Sequence, residues 1–204
     1  MRKLKILSLV LTMILLLSCG GQTVEVIDLN KALDVTVATL DQMNASRSGV
    51  EVQSTDKQAK EIFLKEFNTK YAENLNNAKL TQNPLGTTVN PDGSVTAFND
   101  PNKNMSLDVA EQKLFMIEID AERNRLIATD LQNGYRRDQG FSMAGLAAGM
   151  LIGHLLSRQR GAGIGGNRFN NMSMSPKNYH ESAVNQTKSN ARARSGSGSF
   201  SRGK

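Results

Sequence analysis

The sequence predicts an α+β protein: a small mixed domain with an amphipathic helix and a β-hairpin, followed by an apolar glycine-zipper helix and a disordered tail. Three observations lead there. Apolar residues recur at helical spacing through Ala59, Ile62, Phe63, Phe67, Tyr71, Leu75 and Ala78. Two strand-like runs, residues 114–119 and 125–129, flank the polar segment 120–124. Charge divides the remainder, because residues 157–204 carry Lys and Arg against the single acid Glu181, whereas the middle of the chain is net acidic.

The N-terminus sets the compartment. Arg2, Lys3 and Lys5 form a basic region, and residues 6–17 are apolar apart from Ser8 and Thr12, which is the pattern of an export signal over residues 1–18. Leu16-Leu17-Ser18-Cys19 resembles the lipobox of bacterial lipoprotein signals, in which the cysteine is acylated with palmitate-type chains and becomes the first residue of the mature protein. Cys19 is the only cysteine, and a thioether-linked lipid would remove a thiol otherwise exposed to an oxidising compartment. Each buried methylene contributes about 0.8 kcal/mol, so several chains on one cysteine hold the protein at a membrane without any spanning helix. Gly20, in place of Asp, resembles the sorting signal for the outer membrane rather than retention in the inner one. Residues 19–22 are then a short lipidated N-terminus.

The body, residues 23–137, begins with residues 29–43, where Leu33, Val37 and Leu40 share a helical face, although Val35-Thr36-Val37 is compatible with a strand. Thr55-Asp56-Lys57-Gln58 reads as a capping box opening the aromatic-striped helix, which runs to about Lys79. Asn90-Pro91-Asp92-Gly93, between short Thr/Val runs, is a turn signal. Residues 113–131 form the stronger hairpin candidate, with a long helix over 107–132 as the rival.

Residues 138–160 contain the apolar run FSMAGLAAGMLIGHLL, with Gly145, Gly149 and Gly153 four residues apart on one helical face. Such a face lets a second helix approach closely, and glycine costs a helix roughly 1 kcal/mol in water, so the pattern suits an apolar medium. At helical rise the run covers about 24 Å, against a hydrocarbon core of roughly 30 Å. It is compatible with a thinned bilayer, an interfacial helix, self-packing in a homo-oligomer, or a buried core helix.

Residues 161–204, rich in Gly, Ser, Asn and Arg, are expected to be disordered and basic enough to engage an anionic envelope polymer or lipid. Export argues against nucleic acid as the partner. Catalytic and metal signals are weak. His154 and His180 lack Cys or acidic neighbours in sequence, so no metal and no cofactor is expected. Glu118 and Asp120 are spaced for one face of a strand, a carboxylate pair read as solvated surface rather than as an acid and base. The run Gly161-Ala162-Gly163-Ile164-Gly165-Gly166 lacks the Lys-Ser/Thr continuation of a phosphate loop.

The order of lipobox, polar-acidic body, SMAGLAAGMLIGHLL, SPKNYHESAVNQTKS and RARSGSGSFSRGK resembles YgiB-like envelope lipoproteins, and the Gly-x3-Gly-x3-Gly spacing resembles glycine-zipper lipoproteins. The resemblance implies an envelope lipoprotein without known catalysis. The expected function is therefore a non-enzymatic structural or interaction role at the membrane, with an accessory subunit of an envelope enzyme or transporter as the alternative.

Overall fold

The computed structural model describes residues 26–46, 57–141 and 150–195. Helix α1, Leu29–Ala45, starts where Asp28 turns its carboxylate onto the free amides of Asn30 and Lys31, at 3.1 and 3.2 Å. Its buried positions include Leu29, Leu33, Leu40 and Met43, so helical spacing prevails over the strand propensity of Val35-Thr36-Val37. Helix α2, Lys57–Asn77, buries Phe63, Phe67, Tyr71 and Leu75 as expected. Ile62 is a correction to that stripe: it is 61% exposed, and Leu64 takes the buried place beside Phe63. Thr55 and Asp56 of the expected capping box lie outside the described residues. Within α2 the Phe67 and Tyr71 rings stack, and the two helices meet where the Tyr71 hydroxyl lies 2.7 Å from that of Thr36 and Asn74 donates to Thr39.

Five strands follow: β1 Leu85–Val89, β2 Val95–Asn99, β3 Lys113–Asp120, β4 Arg125–Asp130 and β5 Arg136–Gly140. They form one antiparallel meander in sequence order, so the expected hairpin is the β3–β4 unit of a larger sheet. The turn between β1 and β2 is the Asn90-Pro91-Asp92-Gly93 signal, closed by the amide of Gly93 on the carbonyl of Asn90 at 3.0 Å. Gly93 is required twice over. Its φ is +78°, and a Cβ there would come 2.2 Å from the carbonyl oxygen of Leu155.

Register assigns the two faces. Val95, Ala97, Phe115, Ile117, Ile119, Leu126 and Ala128 point toward α1 and α2 and build the main core. The opposite face carries Phe98, Glu118, Asp120, Arg125 and Ile127. There, Phe98 lies across Gly86, where a Cβ would come 2.4 Å from the ring. Each edge strand of the sheet has a hydrogen-bonding partner. On the β1 edge, the side-chain amide of Asn76 accepts from Leu85 N–H at 2.8 Å and donates to Leu85 C=O at 2.9 Å, imitating a neighbouring strand.

The other edge is covered by the segment expected to be disordered. Ser175 exchanges two bonds with Arg136, donating its backbone amide at 2.7 Å and accepting the Arg136 amide on its hydroxyl at 3.1 Å. This strip follows helix α3, Met150–Gly161, and the short helix α4, Asn167–Asn170; it precedes helix α5, Tyr179–Ser195. Phe169 and Tyr179 are buried, at 2% and 4% exposure. The Tyr179 hydroxyl accepts from Leu29 N–H at 2.6 Å and donates to the carbonyl of Ile27, so a residue of the tail completes the N-terminus of α1. The expectation of disorder from residue 161 is thus corrected over residues 161–195. A few buried aromatics and backbone pairing order a segment whose composition is polar.

The apolar stretch is described only in part, and residues 142–149 lie outside the described residues. Its described part is α3, whose Leu151, Ile152 and Leu155 join the main core, with Gln159 donating to the carbonyl of Ile119 at 2.8 Å. Arg158 ties α3 to Glu61 of α2 at 3.0 Å. Over these residues the helix packs into the core of the body. No helix among the described residues is long and apolar enough to cross a membrane.

Candidate functional site

Cys19, Gly145 and Gly149 lie outside the described residues. Gly153 sits on the outward side of α3, exposed, with nothing within 4 Å of where a Cβ would be. Among the described residues it makes no close helix contact, and an apolar zipper helix is not seen there. His154, on the same helix, accepts from Arg158 Nε at 3.2 Å. Burial, then the positive charges of Arg158 and Lys60, lower its pKa and keep the imidazole neutral. His180 stands edge-on to Tyr179 with Nδ1 4.0 Å from Asp28.

Glu118 and Asp120 share a strand face, but the expectation of a solvated surface is corrected: both are buried, at 3% and 0% exposure. Each has an arginine. Asp120 takes Arg125 at 2.9 Å and Arg123 at 3.4 Å, and Arg125 continues to Asp138 at 2.8 Å. Glu118 has Arg168 at 2.7 Å, a charge contact out of line for a hydrogen bond. Arg125 also donates to the Phe169 carbonyl, and Arg123 to Asn170, so α4 acts as the lid of this cluster. Pairing with arginines offsets the cost of burying these carboxylates and ties β3 to α4 and β4.

A different arrangement appears in the β2–β3 connection. Asp100 is 1% exposed, and its two carboxylate oxygens accept the backbone amides of Asn104 and Met105 at 3.1 and 3.0 Å. Asn102 accepts from the Asn104 amide, and Asn104 from the Ser106 amide, at 3.0 and 2.8 Å. Asp108 receives both side-chain amides, from Asn102 at 2.9 Å and Asn104 at 3.0 Å, on one oxygen. Glu111 folds back to accept the Asp108 amide on Oε2 at 2.9 Å. Lys103 and Met105 sit at φ +57° and +58°, a left-handed alternation that coils the backbone around the side chains of residues 100, 102 and 104.

Two features distinguish this loop from the cluster under α4. Among the described residues no Lys, Arg or His pairs with Asp100, Asp108 or Glu111. Glu111 Oε1 is shielded from solvent and has no hydrogen-bond partner. Among the described residues, no three Asp, Glu, His or Cys side chains are grouped so that they could hold a metal ion by themselves. Beside the loop, an open groove of about 790 Å³ runs between α2 and β1, lined in part by Ala72, Asn76, Pro84, Asp100, Lys103 and Met105.

The loop is what sequence reasoning passed over. Its signal was present as Asp100-x-Asn102-x-Asn104-x-Ser106-x-Asp108-x-x-Glu111, a run of oxygen-bearing residues at alternating positions inside what reads as a polar linker. The chain matches no known family model, no curated protein and no solved structure.

Proposed function

We propose that this protein is a non-enzymatic, lipid-anchored component of the bacterial envelope whose folded domain serves as an interaction module at the membrane surface. The observation that carries the reading is Leu16-Leu17-Ser18-Cys19 directly after an apolar run with a basic start. From Cys19 to Ile27, whose carbonyl is held by Tyr179, the chain reaches at most about 28 Å when fully extended. A domain so tethered acts at the bilayer surface, and outer-membrane placement follows from Gly20. The arginine pairing of Glu118 and Asp120 supports a non-catalytic role.

Two interaction surfaces belong to the same reading. The Gly145, Gly149 and Gly153 face is the candidate for contact with a second copy or a partner helix. The basic residues beyond α4, including Lys188, Arg192 and Arg194, suit an anionic polymer or lipid headgroups.

The test is metabolic labelling with radioactive palmitate, combined with detergent phase partitioning. The wild-type chain is expected to take up label and enter the detergent phase, and Cys19→Ala to lose both. Label retained by Cys19→Ala, or a wild-type chain that takes up none, would remove the anchor from the proposal.

A further inference from the structure

We propose that residues 100–111 are a calcium-binding loop joining two strands, a site that goes beyond the envelope reading and stands independently of it. Calcium takes six to eight hard oxygen ligands at roughly 2.3–2.6 Å, and twelve-residue calcium loops supply them from positions 1, 3, 5, 7, 9 and 12. Here those positions are Asp100, Asn102, Asn104, Ser106, Asp108 and Glu111. The seventh position contributes a main-chain carbonyl, so serine serves there as well as any residue. The twelfth contributes both oxygens of a glutamate, and the twelfth residue of this loop is its one Glu.

The structure adds what spacing alone lacks. Three carboxylates stand in one loop without a cationic partner among the described residues, although the other buried carboxylate cluster has recruited three arginines, Arg123, Arg125 and Arg168. Two asparagine amides crowd their N–H groups onto Asp108 instead, partial positive charge standing where a full one would be stronger. Rotating either amide about its last torsion exchanges nitrogen for oxygen and turns a carbonyl inward with little movement of the backbone. Glu111 is already folded over the loop by its bond to the Asp108 amide, and its solvent-shielded Oε1 lacks the partner that an ion would supply.

Met105 occupies the sixth position, where calcium loops carry glycine for a sharp turn, yet it already holds φ +58°. The required turn is therefore formed by a residue that adopts it reluctantly. With two of the three alternating side chains amides rather than carboxylates, the affinity belongs with extracellular modules, at about 10⁻⁴ M. Magnesium, which demands a smaller octahedral cage, should bind at least about tenfold more weakly.

The experiment uses the full-length chain in detergent micelles, stripped with a chelator and titrated calorimetrically with calcium chloride and, separately, magnesium chloride. The expected result is one calcium per chain near the stated affinity, weaker magnesium binding, and a loss of about tenfold or more in Glu111→Gln. Asp41→Asn, which removes one exposed carboxylate elsewhere, should bind calcium as the wild type does. Thermal unfolding in chelator checks that Glu111→Gln folds normally; if it does not, Asn102→Ala, altered at an exposed position, must show the same loss. Absence of saturable calcium binding up to roughly 10 mM, equal binding of both cations, or full affinity in the loop variants would each overturn the assignment. The lipid anchor would be untouched by any of these outcomes.

Discussion

Replacing Tyr179 by Phe removes a single oxygen and leaves the buried ring in place. That oxygen serves two groups at the entry to α1: it accepts the amide of Leu29 at 2.6 Å and donates to the carbonyl of Ile27. Asp28 is occupied by the amides of Asn30 and Lys31, so no other side chain replaces the lost acceptor at Leu29. A buried polar group left unpaired costs about 1–3 kcal/mol, and two are stranded here, although water can reach part of the helix end; about 2–4 kcal/mol is the resulting estimate. For a domain of this size each kcal/mol moves the midpoint of thermal unfolding by about 2–4 °C, so a fall of roughly 4–16 °C is expected. Burial raises the Tyr179 pKa, and the neutral hydroxyl persists throughout the neutral range of the assay. Circular dichroism melts of wild type and Tyr179→Phe measure the shift. Tyr135→Phe is the control, because its ring packs against Tyr179 while its hydroxyl makes none of these bonds, and it should shift by no more than about 1 °C. A shift below about 2 °C in Tyr179→Phe would refute the claim that the C-terminal segment is an integral part of the fold.

Further outcomes follow from the same geometry. Gly93→Ala places a methyl group against the Leu155 carbonyl at a positive φ, and should lower stability by about 2–4 kcal/mol in a denaturant titration; a loss under about 0.5 kcal/mol would mean that α3 does not pack on the β1–β2 turn. His154 has its pKa lowered in the folded chain by burial and by Arg158 and Lys60, so its contribution is present above the ordinary imidazole pKa and is lost as pH falls through the folded value. Melts between pH 7 and pH 5 should therefore decline less steeply in His154→Gln than in the wild type, and parallel declines would count against it. The palmitate and calcium experiments complete the set, and they fail or succeed separately.

Several elements were legible because the forces that make them are local. The turn at residues 90–93 needs a proline at its second position and a glycine that tolerates positive φ, and both are adjacent in the chain. The buried aromatics of α2 follow from periodicity, and it favoured helix α1 and the β3–β4 hairpin, although a strand at residues 35–37 and a long helix over 107–132 were excluded only by the structure. The calcium spacing was equally present in the letters, but what raises it above a polar linker is the missing counter-charge and the shielded Glu111 oxygen, which only coordinates reveal.

The sequence by itself determined the mixed α+β class and the turn chemistry, which depend on neighbours within a few positions, and it alone carries the proposal of an export signal ending at the lone Cys19. Tertiary structure alone decided that Glu118 and Asp120 are buried, since Arg168 reaches Glu118 from a distant part of the chain. It also decided that residues 161–195 fold back. Composition registers that segment's scarcity of apolar side chains, but its order comes from main-chain pairing of Ser175 with Arg136 and from one phenol placed at the start of a helix about 150 residues earlier. Hydrogen bonds of the backbone carry no signature in composition, and a single buried ring is too small a signal for any average over a window to keep.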